Sequence, residues 1–475
     1  MELLGERAVV LGASIGGLLA ARVLADHYHD VTIVERDVLT DLPTARRGVP
    51  QGRHGHVLLA RSSQILAELF PGFADELAAD GVPSSTGSQM SRIRLSLNGH
   101  LMVHSADGET TDDSTLYFAS RPLLERNILR RVQALPNVTL VDGHDVTELT
   151  ATPDGDHVTG VRIADQVHAT RHTIPADLVV DATGRGSRTP VFLDKLGYSR
   201  PSEDELVVKL AYASQLLHIP DGTLPENLFA YFPAPGRPRT WTLVRYEHDT
   251  WMMTLGSMVG RPAPANRPEM LAWGEGFVDE RALSAARAAT PLSDVEHYRV
   301  PSNRWRRYDK MKRFPQGLLV FGDAICSFNP IYGQGMTMAA IEATLLSECL
   351  RRGDQALPQR FFRAAAAKLR VAWQTAVGSD LTLPEVAGPR PLPMRLSNAY
   401  LDWVMTAAET DSPTAVQLLR VTGMLDSPLR LLRPAFVGRV ARVNGLGRGP
   451  RSEGNRGPRP IPSQPSLGKP RATRI

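Results

Sequence analysis

Cysteine is nearly absent from this chain of 475 residues: Cys326 and Cys349 are its only two. One possible pair in so long a chain excludes a disulfide framework and fits a reducing compartment, so a cytoplasmic protein is expected. Long apolar runs are missing too. None reaches the ~20 residues that a membrane-spanning helix needs. No basic stretch followed by a cleavage pattern precedes the first strand, so no signal peptide is expected. Acidic charge is scarce only at one end. The formal net charge is +4, but from Asn444 onward seven basic residues face one acid, which leaves the rest at −2. A body so near neutral carries no electrostatic footprint for nucleic acid. The tail itself is Gly, Pro, Arg and Ser and reads as disordered. Internal repeats are also lacking.

What is present is an ordinary globular composition, 42% hydrophobic and 22% charged, in a chain long enough for two joined domains. The densest signal runs from Gly317 to Ala340. Leu318 to Phe321 is a short apolar run suited to a buried parallel strand. Gly322-Asp323 then sets a carboxylate at the strand's carboxyl end, where open α/β sheets bind ligands. A fixed acceptor there suits a ribityl or ribose hydroxyl. Asn329-Pro330-Ile-Tyr-Gly333-Gln334-Gly335-Met336 follows and opens a helix. Its glycines leave backbone N–H groups bare for a planar, electron-rich ring.

The N-terminus carries a second signal. The strand Arg7 to Leu11 is followed by Gly12-Ala-Ser14-Ile15-Gly16-Gly17 and a helical run to Leu24. A second strand, Val31 to Val34, ends in Glu35-Arg36. This is a βαβ nucleotide fingerprint: glycines for the turn, a helix N-terminus for pyrophosphate, an acid for ribose hydroxyls. Ser14 stands where a second glycine is usual, and Glu35 would repel a 2′-phosphate. A third strand, Leu178 to Asp181, ends in Ala-Thr183-Gly184.

These segments together resemble the flavoprotein monooxygenases related to para-hydroxybenzoate hydroxylase. The chain is most similar to the actinobacterial branch holding the polyether epoxidases, with squalene epoxidase a more distant cousin. The likeness runs from about Arg7 to about Val443. It implies an α/β fold: a Rossmann-like FAD-binding domain with an interleaved antiparallel substrate sheet and C-terminal helices. It further implies that reduced flavin adds O2 at its C4a carbon and that the hydroperoxide oxidises an apolar substrate. By the same likeness the Gly322-Asp323 turn binds the ribityl chain, and Pro330 with Gly333 to Met336 lines the isoalloxazine. Arg46, in the Gly- and Pro-rich loop from Thr44 to Val57, meets the FAD phosphates. Val146 lies where relatives hold the adenine on backbone groups. Arg121 contacts FAD or, equally in reach, pairs with Glu125 one helical turn on. Relatives carry Asp-Gly where this chain has Thr183-Gly184, which opens the question of the electron donor: NADH, NADPH or a separate flavin reductase.

Domain expectations follow. Residues 1–188 begin the FAD domain, with a hairpin excursion at about 85–118, and residues 301–378 complete it. Residues 189–300 form the substrate sheet, 379–443 a helical region, and 444–475 the basic tail. Strands are expected at Val207–Leu217, Leu228–Phe232, Thr240–Tyr246 and Trp251–Val259, then one helix from Met270 to Ala289. Phe229, Tyr231, Phe232, Trp241, Trp251, Met252 and Met253 suit a greasy substrate, though strand residues must bury one face in any case. Six basic residues between Arg304 and Arg313 read as a solvated basic face. His54 and His56 lack partners at metal-ligand spacing, so no metal is expected. The expected chemistry needs FAD, O2 and an apolar small molecule. No catalytic acid or base stands out, and the oligomeric state is open.

Overall fold

The computed structural model describes residues 3–86, 91–102 and 115–446. Residues 87–90 and 103–114 of the expected hairpin excursion, and most of the basic tail, lie outside the described residues. The first layer is a parallel sheet ordered Leu318–Val320, Leu178–Asp181, Gly5–Leu11, Tyr28–Val34, Val138–Val141. Its central strands are covered on both faces, which is why they read as unbroken apolar runs. Val9, Val10, Val179, Val180, Leu319 and Val320 are fully buried. The helices Ile15–Leu24, Arg121–Gln133 and Gln334–Leu350 pack together against it.

The second layer is a large, mostly antiparallel sheet. Its order is Cys326–Ser327, Glu296–Arg306, Glu203–His218, Thr250–Ser257, Arg239–Arg245, Leu228–Tyr231, Ile93–Leu97, His100–Leu101. Ile93–Leu97 turns back at Asn98 and Gly99, whose φ values of 51° and 94° suit a two-residue hairpin. It joins the sheet parallel to Leu228–Tyr231. A three-stranded antiparallel sheet, His144–Ala151, Val158–Asp165 and Arg171–Pro175, flanks the first layer. The helices Leu392–Ala408, Ser412–Thr422 and Pro434–Leu446 close the far side. The α/β architecture with a substrate-side sheet and C-terminal helices is the one expected from the sequence.

Two expectations need correction. The single helix from Met270 to Ala289 is two, Arg267–Trp273 and Glu280–Ala288. Gly274 ends the first, Gly276 takes a left-handed φ of 84°, and Asp279 caps the second by accepting the Arg281 N–H. The basic run from Arg304 is a solvated face only in its second half: Lys310, Lys312 and Arg313 are exposed, whereas Arg304 and Arg306 end an inner strand. Arg306 is buried and donates to the Ala324 and Arg185 carbonyls at 2.8 and 3.0 Å. Arg307, buried as well, pairs with Asp204 and Asp309 and lies over the Trp305 ring. Arg306 therefore ties the large sheet to both cofactor-side turns. Replacing it with Ala takes the side-chain donor from the Ala324 carbonyl and the partner from Glu203, while Arg304 still donates to the Arg185 carbonyl; stability should fall by about 1–3 kcal/mol, read from the urea midpoint.

Candidate functional site

One cavity of about 1320 Å³ lies between the two layers and runs on beneath the C-terminal helices. That exceeds the roughly 300–1,000 Å³ of a single-ligand pocket, so there is room for two molecules. Gly12, Ser14, Ile15, Gly16, Glu35, Arg36, Arg46, Arg121, Val146, Thr183, Gly184, Asp323, Pro330, Gly333, Gln334, Gly335 and Met336 all line it. Among the site residues expected from sequence, Gly17 alone is absent from its wall. A Cβ there would overlap the Gly12 carbonyl oxygen, so Gly17 serves helix-to-turn packing instead.

The Gly12 end of the cavity is built from uncapped backbone. Gly12 sits at φ 95°, and the Ser14 side chain does not cap the helix that follows it. Its hydroxyl donates to Glu125 at 2.7 Å and accepts from Arg121 at 2.9 Å, leaving the first helical N–H groups toward the cavity. Arg121 also makes the Glu125 pair, at 3.0 Å, and lines the cavity. Glu35 accepts the Ala13 N–H at 2.7 Å and pairs with Arg46 at 3.1 Å. Arg46 also meets Asp37 and Glu125. Burial works against its charge, but the three carboxylates outweigh that and hold its pKa above the ordinary value. Its Nη2 has no hydrogen-bond partner among the described residues.

At the other strand end, Asp323 has no hydrogen bond or ion pair among the described residues and opens only into the cavity. Burial raises its pKa, against the pull of Arg121 and Arg185. Behind it, Glu342 accepts the Gly322 N–H at 2.6 Å. Burial, reinforced by Asp323 and opposed by that N–H, pushes the Glu342 carboxyl up to about 8. The Thr183-Gly184 turn closes against Asp323. It is held by Asp181, which accepts from the Thr183 N–H at 2.9 Å and from the hydroxyls of Thr183, Ser187 and Thr189.

Residues that sequence reasoning passed over complete the site. Asp380, fully buried, accepts from Asn303 at 2.7 Å, Asn329 at 2.8 Å and the Tyr332 hydroxyl at 2.8 Å. Burial pushes it up to about 6, opposed by those three donors. Tyr332 lines the cavity and stacks on Phe232. Asn329 and Tyr332 were visible in the motif; Asp380, far along the chain, gave no signal. The loop over the cavity is clamped by His54, bonded to Ser214 at 2.8 Å, and by Tyr246, which bonds the His56 backbone. Burial lowers these histidines to about 4 and about 3. Both are neutral spacers at physiological pH.

The aromatic wall is not where the sequence suggested. Phe229, Tyr231, Trp241, Trp251 and Met253 pack under the helices Arg267–Trp273 and Glu280–Ala288, away from the cavity. The strand period of two turns their neighbours inward, so Leu228, Ala230, Thr240, Thr242, Val244 and Thr254 form the wall. Phe232 does line the cavity, and Met252 packs toward the C-terminal helices.

The donor set fits FAD: bare glycine turns, two uncapped helix N-termini, an unpartnered Asp323, and the orphaned Arg46 Nη2 and Gln334 Oε1. A family model described as FAD binding domain matches residues 6–376. The chain belongs to that family. It is 37% identical over 449 residues to Protein Rv3254 of Mycobacterium tuberculosis, covering 92% of this chain and 94% of that protein. It is 28% identical over 407 residues to kynurenine 3-monooxygenase of Salinispora arenicola, covering 79% and 78%. The solved p-nitrophenol 4-monooxygenase PnpA of Pseudomonas putida has the same fold at TM-score 0.62 and 16% identity, covering 88% and 97%. This family member is an FAD-dependent enzyme of the monooxygenase kind.

Two measurements probe the site. Asp323→Ala should leave the fold intact and lower FAD retention on gel filtration by about tenfold, the loss of one charge-assisted hydrogen bond. Glu342→Gln keeps an acceptor for Gly322 but cannot ionise. In the folded wild type Glu342 keeps its proton to a higher pH than in the unfolded chain, so wild-type stability is lost as pH rises from the ordinary 4.5 to about 8 and levels off above that. Thermal melts should show the Gln variant gaining on wild type as pH climbs across that range.

Proposed function

We propose that this FAD-dependent monooxygenase transfers one oxygen atom from O2 to a sizeable, mostly apolar metabolite of polyketide or terpenoid kind, by hydroxylation or epoxidation. One observation carries the reading. The cavity joins a glycine-lined end, with Asp323 and the two helix N-termini, to a compartment walled by Leu228, Ala230, Val244 and the C-terminal helices. Its size argues for cofactor and substrate together. FAD, when bound, supplies the redox and oxygen chemistry. The chain's own residues hold it: Asp323 for the ribityl hydroxyls, Glu35 for the ribose, Arg46 and Arg121 for the phosphates, Gly333 to Met336 against the ring. The apolar compartment keeps water from the reacting atoms. The names of two relatives, kynurenine 3-monooxygenase and p-nitrophenol 4-monooxygenase, support the oxygenation.

Between the two outcomes, hydroxylation of a ring or enol bearing an O–H is favoured by the Tyr332–Asp380 pair. Tyr332 can take a proton from a substrate hydroxyl as its own passes to Asp380. A base whose pKa sits near the working pH is the efficient choice, and Asp380 lies at about 6. Alkene epoxidation requires no such pair. The electron donor is NADH, NADPH or a partner flavin reductase. Thr183, standing where relatives have an acid, supports the last.

Anaerobic addition of NADH and then NADPH to the purified flavoprotein, followed by O2 uptake with candidate substrates, tests the proposal. Substrate-dependent O2 consumption with oxygen appearing in product is expected. Substrate reduction without O2 uptake would replace the reading with that of a flavin-dependent reductase. Bleaching only after a reductase is supplied would identify the donor as a partner protein.

A further inference from the structure

The far end of the cavity opens through a rim of exposed leucines. Leu429 and Leu432 both line the cavity yet are 71% and 58% exposed. On the neighbouring helix, Leu392 and Leu396 are 63% and 62% exposed. They lie eight and four residues before Tyr400 and so share its face. The Tyr400 hydroxyl donates to the Leu431 carbonyl, which brings that face beside the 428–432 turn. Four exposed leucines thus stand on two neighbouring elements, Leu429 and Leu432 at the cavity mouth and Leu392 and Leu396 on the helix beside it. A folded chain rarely leaves such a cluster bare without a use for it.

The charges among these leucines are of one sign. Arg395 stands beside Leu396, and Arg430 and Arg433 alternate with Leu429 and Leu432. All three are exposed, and Arg395 and Arg433 have no ion pair among the described residues. The helix Pro434–Leu446 then leads into the stretch whose sequence carries net +6. Apolar side chains interleaved with arginine, next to a basic segment, match an anionic bilayer: hydrocarbon for the leucines, phosphate for the guanidinium groups.

We propose that this rim docks the enzyme onto anionic membrane, with Leu392, Leu396, Leu429 and Leu432 entering the headgroup region. None of the chain's helices is long and apolar enough to span one, among the described residues, so the attachment is peripheral and reversible. That the oxygenation substrate enters the cavity from the lipid rests on the function proposed above. The docking itself does not.

Flotation of the full-length, FAD-loaded protein with vesicles is the test. Binding is expected to phosphatidylcholine vesicles containing about a third phosphatidylglycerol, and to be at least tenfold weaker with phosphatidylcholine alone. Leu429→Glu with Leu432→Glu should weaken binding tenfold or more while retaining bound FAD, which shows that the exposed positions can change without unfolding. Arg430→Ser with Arg433→Ser should cost about fivefold for each charge. Failure to float with either vesicle overturns the proposal, as does equal flotation of the leucine variant and wild type. Loss of binding only on deletion of residues 447–475 would assign attachment to the tail and overturn the rim. Leucine-dependent capture of an acidic carrier protein in place of vesicles would overturn it in favour of a protein partner. Vesicle binding without O2 uptake would sink the oxygenation reading and leave the rim standing.

Discussion

Burying a carboxyl with one oxygen unpaired is costly, and the chain accepts that cost at Glu342 to hold the Gly322 N–H at 2.6 Å. The bond fixes the turn at the end of the Leu318–Val320 strand, and with it the direction of Asp323. Everything on the cofactor side is arranged against that turn. Thr183-Gly184 closes on Asp323 from the next strand, and Gly335 approaches its carboxylate from the following helix. Arg306, donating to the Ala324 and Arg185 carbonyls, brings the large sheet into register with both turns. A neutral acid does this well. It offers an acceptor to the backbone without a second full negative charge behind Asp323.

The two ends of the cavity follow different physical rules. The glycine-lined end is polar and made of backbone, because phosphate and ribityl groups are recognised by N–H groups and fixed acceptors. The other end is a sheet face and three helices. There the one buried carboxylate, Asp380, stands behind Tyr332 and accepts from its hydroxyl and from Asn303 and Asn329. The same apolar character continues outward to the leucines at the mouth, where it meets arginine.

Legibility in the sequence tracked how local each requirement is. Glycine turns, a carboxylate at a strand end and a short apolar run are demands of adjacent backbone, so Gly12, Glu35, Asp323 and Gly333 to Gly335 could be read from neighbouring residues. Gly17 was read in the same motif, yet it faces the turn and not the cavity. The difference lies one side of one helix away, below what spacing alone resolves. The basic run at Arg304 misled for a similar reason: composition reports charge, while burial depends on which strand the residues join.

The sequence by itself determined the class of fold and the glycine-lined end of the cavity, because those depend on local conformations that few residue types can adopt. It also determined that the body is near neutral and that Cys326 and Cys349 build no disulfide framework. Only the tertiary structure decided which face of each strand looks inward. A shift of one residue exchanges Trp241 for Thr240 at the wall, and register comes from pairing across the whole sheet. It alone joined Asp380 to Tyr332, and set exposed leucines of two separate segments on neighbouring elements. Those unions depend on long-range packing, to which no stretch of sequence holds the key.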